Sequence, residues 1–159
     1  MKNLITLLIV LFSLSGVSQS STDTLGHDGI NISLLDSLVE VYVNELRVNR
    51  GINILEFNVG VKEHSYNHSN WLVKNNKFEH STGIIGECIL ICGVWGISTY
   101  EEAAKALLSV WVKSLPHKRA LLSGYYKFGG CGTVVVDYNY GCYGVKSSFG
   151  LSPIDTDNL

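Results

Sequence analysis

The sequence has little charge and no excess of basic residues. Charged side chains make up 16% of its 159 residues, and the formal net charge is −2, whereas soluble proteins usually carry about 25% charged residues. Because a nucleic-acid-binding surface needs a basic patch, this composition argues against a nucleic-acid partner. The length is enough for one domain with a single core.

The sequence also lacks an apolar run of about 20 residues, which a membrane-spanning helix requires. Residues 4–14 form a shorter apolar run, preceded by Lys2 and followed by small residues. This pattern is typical of a secretory signal peptide. We therefore expect a signal peptide at residues 1–19, an exposed linker at residues 20–32, no stable membrane span, and a secreted or periplasmic protein. An uncleaved anchor is the alternative.

Several short motifs are missing. The sequence has no Cys-x2-Cys pair for a four-thiolate zinc site, no Gly-x-Ser-x-Gly elbow and no His-Glu-x-x-His helix. An even number of cysteines in an exported chain instead suggests disulfides, and the candidates are Cys88, Cys92, Cys131 and Cys142. A bridge between Cys131 and Cys142 would close a hairpin, although a turn at residues 138–139 would misalign the two. Cys88 and Cys92 are too far apart to bond if they lie on one strand.

What the sequence does contain is a succession of helix and strand signals. Apolar residues at three- and four-residue steps predict helices at residues 33–49 and 58–76 and a third beginning at residue 98 or 99. A short apolar strand is predicted at residues 88–92, and a hairpin at 133–149 that turns at 138–139. This order predicts an α+β domain at residues 33–150, with helices around a small antiparallel sheet and a flexible tail at residues 151–159.

One stretch carries the residues best suited to chemistry. His80 is followed by Gly83, Gly86 and Glu87, and His117 comes thirty residues later. The two glycines let the backbone fold back, so that His80 and Glu87 could face one cleft. Two imidazoles and a carboxylate could hold zinc (Zn2+) or another divalent cation with an open position, or act as acid and base. The alternative is that both histidines cap surface turns while Glu87 pairs with a lysine.

Other polar residues permit further pairings. His64 and His68 are four residues apart on the second predicted helix and could form half of a metal site. Packed or surface histidines are the simpler interpretation. Ser114 lies three residues before His117, which makes a serine–histidine pair possible.

Four segments, in this order along the chain, resemble the CAP superfamily of cysteine-rich secretory proteins, venom allergens and plant pathogenesis-related class 1 proteins. The pattern is most similar to the bacterial, SCP-like members. The segments are Asn44-Glu45-Leu46-Arg47 followed by Gly51; His68-Ser69 with Leu72; His80-Ser81 followed by Gly86-Glu87, with Cys88 where Asn is usual; and Trp111-x-x-Ser114-x-x-His117 followed by Gly130-Cys131-Gly132.

The resemblance implies a three-layer α-β-α sandwich with a central cleft. It implies that His80, Glu87 and His117 are three members of the family's His-Glu-Glu-His tetrad. Ser114 stands where the second Glu is expected, so a role that needs two carboxylates is in doubt, whereas metal binding by His80, Glu87 and His117 tolerates the loss better.

The functions that the resemblance implies are binding functions first. We expect a secreted domain that binds an apolar, sterol- or lipid-like small molecule or an extracellular protein, with a metal in the cleft. The stretch Ile89–Ile97, with Trp95, offers an apolar surface, unless it is a core strand and a buried loop. A metal-dependent hydrolase acting on peptides or esters is the alternative, and the sequence leaves catalysis undecided.

Overall fold

The computed structural model describes residues 30–82, 86–94, 97, 99–138 and 142–157. The predicted signal peptide and most of the predicted linker lie outside these residues. The elements in chain order are α1 (Ile32–Val48), β1 (Glu56–Phe57), α2 (Val59–Lys74), β2 (Gly86–Gly93), α3 (Tyr100–Lys113), α4 (Leu115–Leu121), β3 (Phe128–Tyr138) and β4 (Cys142–Ser152). No helix among the described residues is both long and apolar enough to span a bilayer.

Asparagine and threonine side chains begin the three long helices. Asn31 caps α1, because its side chain accepts a hydrogen bond from the N–H of Leu34, so the helix starts earlier than the predicted residue 33. Asn58 caps α2 in the same way, where the sequence predicted a start. Thr99 and Glu102 form a capping box that begins α3.

The four strands form one sheet in the order β1-β3-β4-β2. The β3–β4 hairpin and the β2–β4 pair are antiparallel, while β1 pairs with β3 in parallel. The sheet, which the sequence predicted to be antiparallel, is therefore mixed, because the segment between α1 and α2 contributes the parallel strand β1.

Helix α2 packs against one face of the sheet, over a patch of glycines. A Cβ atom on Gly132 would lie 2.1 Å from the backbone nitrogen of Tyr66, and one on Gly130 would lie 2.6 Å from that of Lys62. Hydroxyl groups of α2 fill the remaining space: Ser69 donates to the carbonyl of Gly132 at 2.7 Å. The absence of side chains on the sheet thus lets the helix backbone touch the strand backbone.

The opposite face of the sheet carries the apolar core. Residues next to the glycines in β3 and β4 point the other way, and Phe149 there packs edge to face against Trp111 of α3 at 5.9 Å. Helices α1 and α3 cover this face, with the buried side chains of Leu35, Val39 and Leu107 among those in contact. The α+β class and the α-β-α layers predicted from the sequence are confirmed.

The predicted disulfides are not present among the described residues. Cys88, Cys92 and Cys131 are free thiols. Cys142 pairs in register with Tyr138, seven residues along β3 from Cys131, which is roughly 23 Å. Cys88 and Cys131 both lie opposite Phe149, on either side of β4, so their Cα atoms are about two strand spacings apart and beyond disulfide reach.

The Asn-x-x-Arg segment of α1 ties distant parts of the chain together. The amide of Asn44 bonds both the N–H and the carbonyl of Leu55, at 2.8 and 2.9 Å. The buried guanidinium of Arg47 donates to the carbonyl oxygens of Asn53, Leu121 and Ser123. These bonds fix the β1 segment and the end of α4 against α1.

The described residues that follow β4, up to Asp157, are attached to the domain. Strand β4 continues to Ser152, so the predicted tail begins inside a strand. Beyond it, Asp155 accepts a hydrogen bond from the side chain of Asn58, and Asp157 accepts one from the N–H of Gly60, each at 2.7 Å. Carboxylates are favourable at this helix N-terminus because of the helix dipole.

The glycine patch makes a testable prediction. We expect Gly132→Ala to lower the free energy of unfolding by about 1–3 kcal/mol or more, because the added methyl group forces α2 away from the sheet. Urea denaturation of both proteins measures it. Gly124→Ala is the matched control, since a Cβ at Gly124 meets no atom within 4 Å. Equal effects of the two substitutions would contradict the close contact.

Candidate functional site

His80 and Glu87 lie side by side, as the glycine-containing segment predicted. Glu87 is the second residue of β2, and its side chain is only 3% exposed. Its Oε2 atom lies 3.1 Å from Nδ1 of His80 and accepts a hydrogen bond from the N–H of Ser81 at 2.9 Å. The carboxylate therefore holds the short segment at residues 79–82 against the start of β2.

Both oxygens of Glu87 are occupied. Ser148 of β4 donates to Oε1 at 3.0 Å, and Nε2 of His68 lies 3.7 Å from Oε2. Burial alone would raise the pKa of Glu87, but the Ser81 N–H, the His68 charge and the bonds from His80 and Ser148 outweigh it and lower the pKa below its usual value. Glu87 is thus a carboxylate that positions its neighbours.

His117, in α4, reaches the same region from the other side. Its ring lies edge to face with that of His80, with 6.0 Å between centroids. Its Nδ1 atom is buried without a partner among the described residues. Burial, and then the proximity of His80, lower the pKa of His117 below its usual value, so the imidazole is neutral at pH 7. The three residues predicted from the sequence are therefore neighbours.

The cleft itself opens on the α2 side of His80. It encloses about 310 Å3, and its lining residues are His64, His68, Trp71, Glu79, His80, Ser81 and Thr82. Neither Glu87 nor His117 lines it. The histidines of α2, which the sequence favoured as packed or surface residues, are part of this cleft.

The two α2 histidines attach the segment at residues 79–82 to the helix. Nε2 of His68 lies 2.9 Å from the carbonyl oxygen of Glu79, and because a carbonyl only accepts, this nitrogen carries the proton. Nε2 of His64 lies 3.1 Å from the hydroxyl of Ser81. Their spacing of four residues was the signal that the sequence offered.

Ser114 takes no part in this arrangement. It is the N-terminal cap of α4, but its side chain makes no capping hydrogen bond, and no hydrogen bond joins it to His117 among the described residues. The site therefore contains one buried carboxylate, and the serine–histidine pair considered from the sequence does not form.

The described residues do not form the three-ligand metal site that the sequence suggested. Within the described part of the chain, no group of three or more His, Cys, Asp or Glu could hold a metal ion. The oxygens of Glu87 are engaged, which leaves Nε2 of His80 and the unpartnered Nδ1 of His117. Two imidazoles, one of them oriented by a carboxylate, are the available donors.

The apolar surface lies elsewhere than expected. Cys88, Ile89, Leu90 and Val94 are buried, so the described part of the stretch around β2 is mostly core, while Trp95 lies outside the described residues. A groove of about 830 Å3 instead runs between α1 and the β1 segment. Its lining residues are Val41, Asn44, Glu45, Val48, Asn49, Ile54 and Phe57.

The bonds of Glu87 predict a pH-dependent contribution to stability. We expect Glu87→Gln to lower the free energy of unfolding at pH 7 by about 1–3 kcal/mol. A carboxyl with a lowered pKa stabilises the fold above its unfolded pKa and loses that effect as the pH falls through the folded pKa. The difference between the two proteins should therefore shrink below about pH 4.5.

Urea denaturation between pH 3 and pH 7.5 checks this expectation. Glu79→Gln is the control, because that exposed carboxylate pairs with exposed Lys77 and should contribute little. A pH-independent difference for Glu87→Gln would show that its charge does not stabilise the site.

Solved structures of bacterial proteins are similar in fold. An outer surface protein from Borrelia burgdorferi matches with a TM-score of 0.50 and 16% identity, over 72% of this chain and 90% of that one. An extracellular protein containing an SCP domain from Bacillus anthracis matches with a TM-score of 0.52 and 16% identity, over 74% of this chain and 40% of that one. A cysteine-rich secretory protein from Staphylococcus aureus matches at 21% identity with a TM-score of 0.45, over 75% of this chain and 38% of that one.

This chain therefore spans less than half the length of the last two proteins. At these identities the first two structural matches establish the fold alone. No curated protein matches the sequence. The model of the cysteine-rich secretory protein family, CAP, matches residues 41–145. Since this match covers more than half of the sequence and the fold agrees with it, the chain belongs to the CAP family.

Proposed function

We propose that this chain is an extracellular ligand-binding domain that takes an apolar, lipid-like molecule into the groove between α1 and β1. The apolar run at residues 4–14, with its flanking residues, supports export. Two of the proteins with a similar fold are described as an outer surface protein and an extracellular protein.

The groove is the observation that carries this proposal. Its volume of about 830 Å3 lies within the range of small-molecule sites, about 300–1,000 Å3. Val48 and Ile54, on opposite walls, are 58% and 55% exposed, and a contiguous apolar surface that stays in water favours occupation by an apolar ligand. Asn44 clamps Leu55, so the β1 wall is held in place before any ligand arrives.

Polar groups at the groove favour an amphiphilic ligand over a hydrocarbon. Glu45 and Asn49 line it on the α1 side, and both are exposed. These side chains would contact the polar end of a ligand whose apolar part lies between the valine and isoleucine walls. Such a small number of polar groups is typical of sites that orient a largely apolar molecule.

The second part of the proposal is a cation at the histidines. His80 and His117 would hold a divalent cation such as zinc, and Glu87 would orient His80 through its Nδ1 proton. A bound cation would supply Lewis acidity. This chain's own contribution is to keep His117 neutral and His80 fixed, and to link α4 with the segment at residues 79–82.

The alternative, a metal-dependent hydrolase, has one observation in its favour. The pairing of Glu87 with His80 is the arrangement in which a carboxylate orients an imidazole base. A hydrolytic zinc centre, however, usually has three protein ligands and an activated water, and the described residues supply no such set. The binding function is therefore favoured.

Ligand binding is tested with a fluorescent fatty acid. We expect saturable binding to the wild-type protein and at least tenfold weaker binding to Phe57→Asp, because a charge in the groove disfavours apolar contact. Val110→Asp is the control, since that exposed valine lies on α3 and does not line the groove. The proposal fails if wild type does not bind, or if both variants bind alike.

Metal binding is tested by calorimetric titration with zinc. We expect binding that weakens more than tenfold in His80→Ala and in His117→Ala, because each removes one of two donors. His64→Ala should bind normally, since His64 contacts Ser81 and neither proposed donor. Hydrolysis of peptides or esters by the zinc-loaded protein, lost in His117→Ala, would instead establish the hydrolase.

A further inference from the structure

Two acidic side chains of α1 are buried against the strand β3. Asp36 and Glu40 are one helical turn apart and only 3% and 6% exposed. They lie at this place because β1 pairs with β3 only at Phe128 and Gly129. Beyond that point, α1 covers the edge of β3 where a longer β1 would have continued.

Glu40 is well satisfied in this position. Its Oε1 atom accepts a hydrogen bond from the backbone N–H of Cys131 at 3.0 Å, as a neighbouring strand would. The same atom lies 3.4 Å from Nζ of Lys62 in α2. Glu40 therefore has both a backbone donor and a countercharge.

Asp36 differs from Glu40, because its Oδ1 atom is buried without a hydrogen-bond partner. Its surroundings are the hydroxyl of Thr133 and the thiol of Cys131, with the Ser147 hydroxyl 2.9 Å from that of Thr133. Burial raises the pKa of Asp36 to about 6, against the opposing effects of Thr133, Lys62 and Cys131. The carboxylate receives hydrogen bonds from Thr133 and Cys131, but its buried Oδ1 atom has no donor among the described residues, so ionisation leaves that oxygen uncompensated.

The charged and titratable groups around Asp36 come from each neighbouring element. Helix α1 contributes Glu40, α2 contributes Lys62, and β3 contributes Cys131, whose thiol is protonated because burial raises its pKa well above the usual value. Among the described side chains of β4, the hydroxyl of Ser147 lies nearest to this group, through Thr133. The charges of α3 that meet α1, Glu101 and Lys105, lie at its exposed side near Tyr42.

We propose that Asp36 is a pH-sensitive latch, which holds α1 against β3 when its carboxyl is neutral and loosens α1 when the carboxyl ionises. An unfolded Asp ionises near pH 3.8 and Asp36 in the fold near pH 6, so stability is lost as the pH rises through this window. Since α1 forms one wall of the groove, the groove would be most rigid in mildly acidic surroundings. The effect on ligand binding depends on the proposed function of the groove, whereas the latch itself does not.

Amide hydrogen exchange on the full chain without ligand tests the latch. Protection of Val39 and Val43 in α1, relative to Leu107 in α3 and corrected for intrinsic exchange, should fall between pH 4.5 and pH 7.5. The part of the window above pH 4.5, about 1.5 units, corresponds to a fall of up to about 30-fold. Asp36→Asn, which cannot ionise, should show a constant ratio.

Glu40→Gln is the matched control and should keep the pH dependence, because Asp36 still titrates in it. A constant ratio in wild type, an equal fall in Asp36→Asn, or an equal loss of protection in α3 would each overturn the latch. If Asp36→Asn does not fold, the proposal is tested in the wild-type protein by following the NMR chemical shift of the Asp36 carboxyl carbon as the pH is varied. A midpoint near pH 6 supports the proposal, and one below pH 4.5 ends it.

Discussion

The contact between the backbone of α2 and the glycines of the sheet determines where the other parts of this protein can lie. A helix that rests on side chains can shift by small repacking movements, whereas one that touches the strand backbone cannot approach further or slide without steric overlap. Ser65 strengthens the contact, since its hydroxyl lies 2.9 Å from both the Gly130 carbonyl and the Gly150 N–H. Lys146 of β4 fixes the far end of the helix by donating to the carbonyl of Leu72. The α2 histidines are thereby held opposite the segment at residues 79–82.

The sequence revealed the part of the site that is formed by residues close together in the chain. His80 and Glu87 are seven residues apart with glycines between them, so their meeting needed only a local reversal of the chain. The participation of His64 and His68 could not be deduced in this way, because their contacts with Ser81 and Glu79 depend on how closely α2 approaches the sheet. The spacing of two histidines on one helix face is compatible equally with a cleft, a core or a surface.

The fold was predictable to a similar degree and for a similar reason. Helical periodicity and capping residues placed the three long helices, and β-branched residues placed the hairpin. Strand β1 has only two residues and pairs in parallel with a strand about seventy residues later, so no local pattern could reveal it. The disulfide expectation relied on an even number of cysteines, which carries no information about register. In the sheet, two of these cysteines flank Phe149 and serve as small apolar side chains of the core.

The position of β4 in the sheet bears on how such a chain is made. This strand is the last element in the sequence, yet it lies between β3 and β2 and is the sole partner of β2 among the described strands. A growing chain that has not yet released residues 142–152 from the ribosome has no means of completing its sheet. Strand β2, made more than fifty residues earlier, must therefore stay unpaired until β4 has been made.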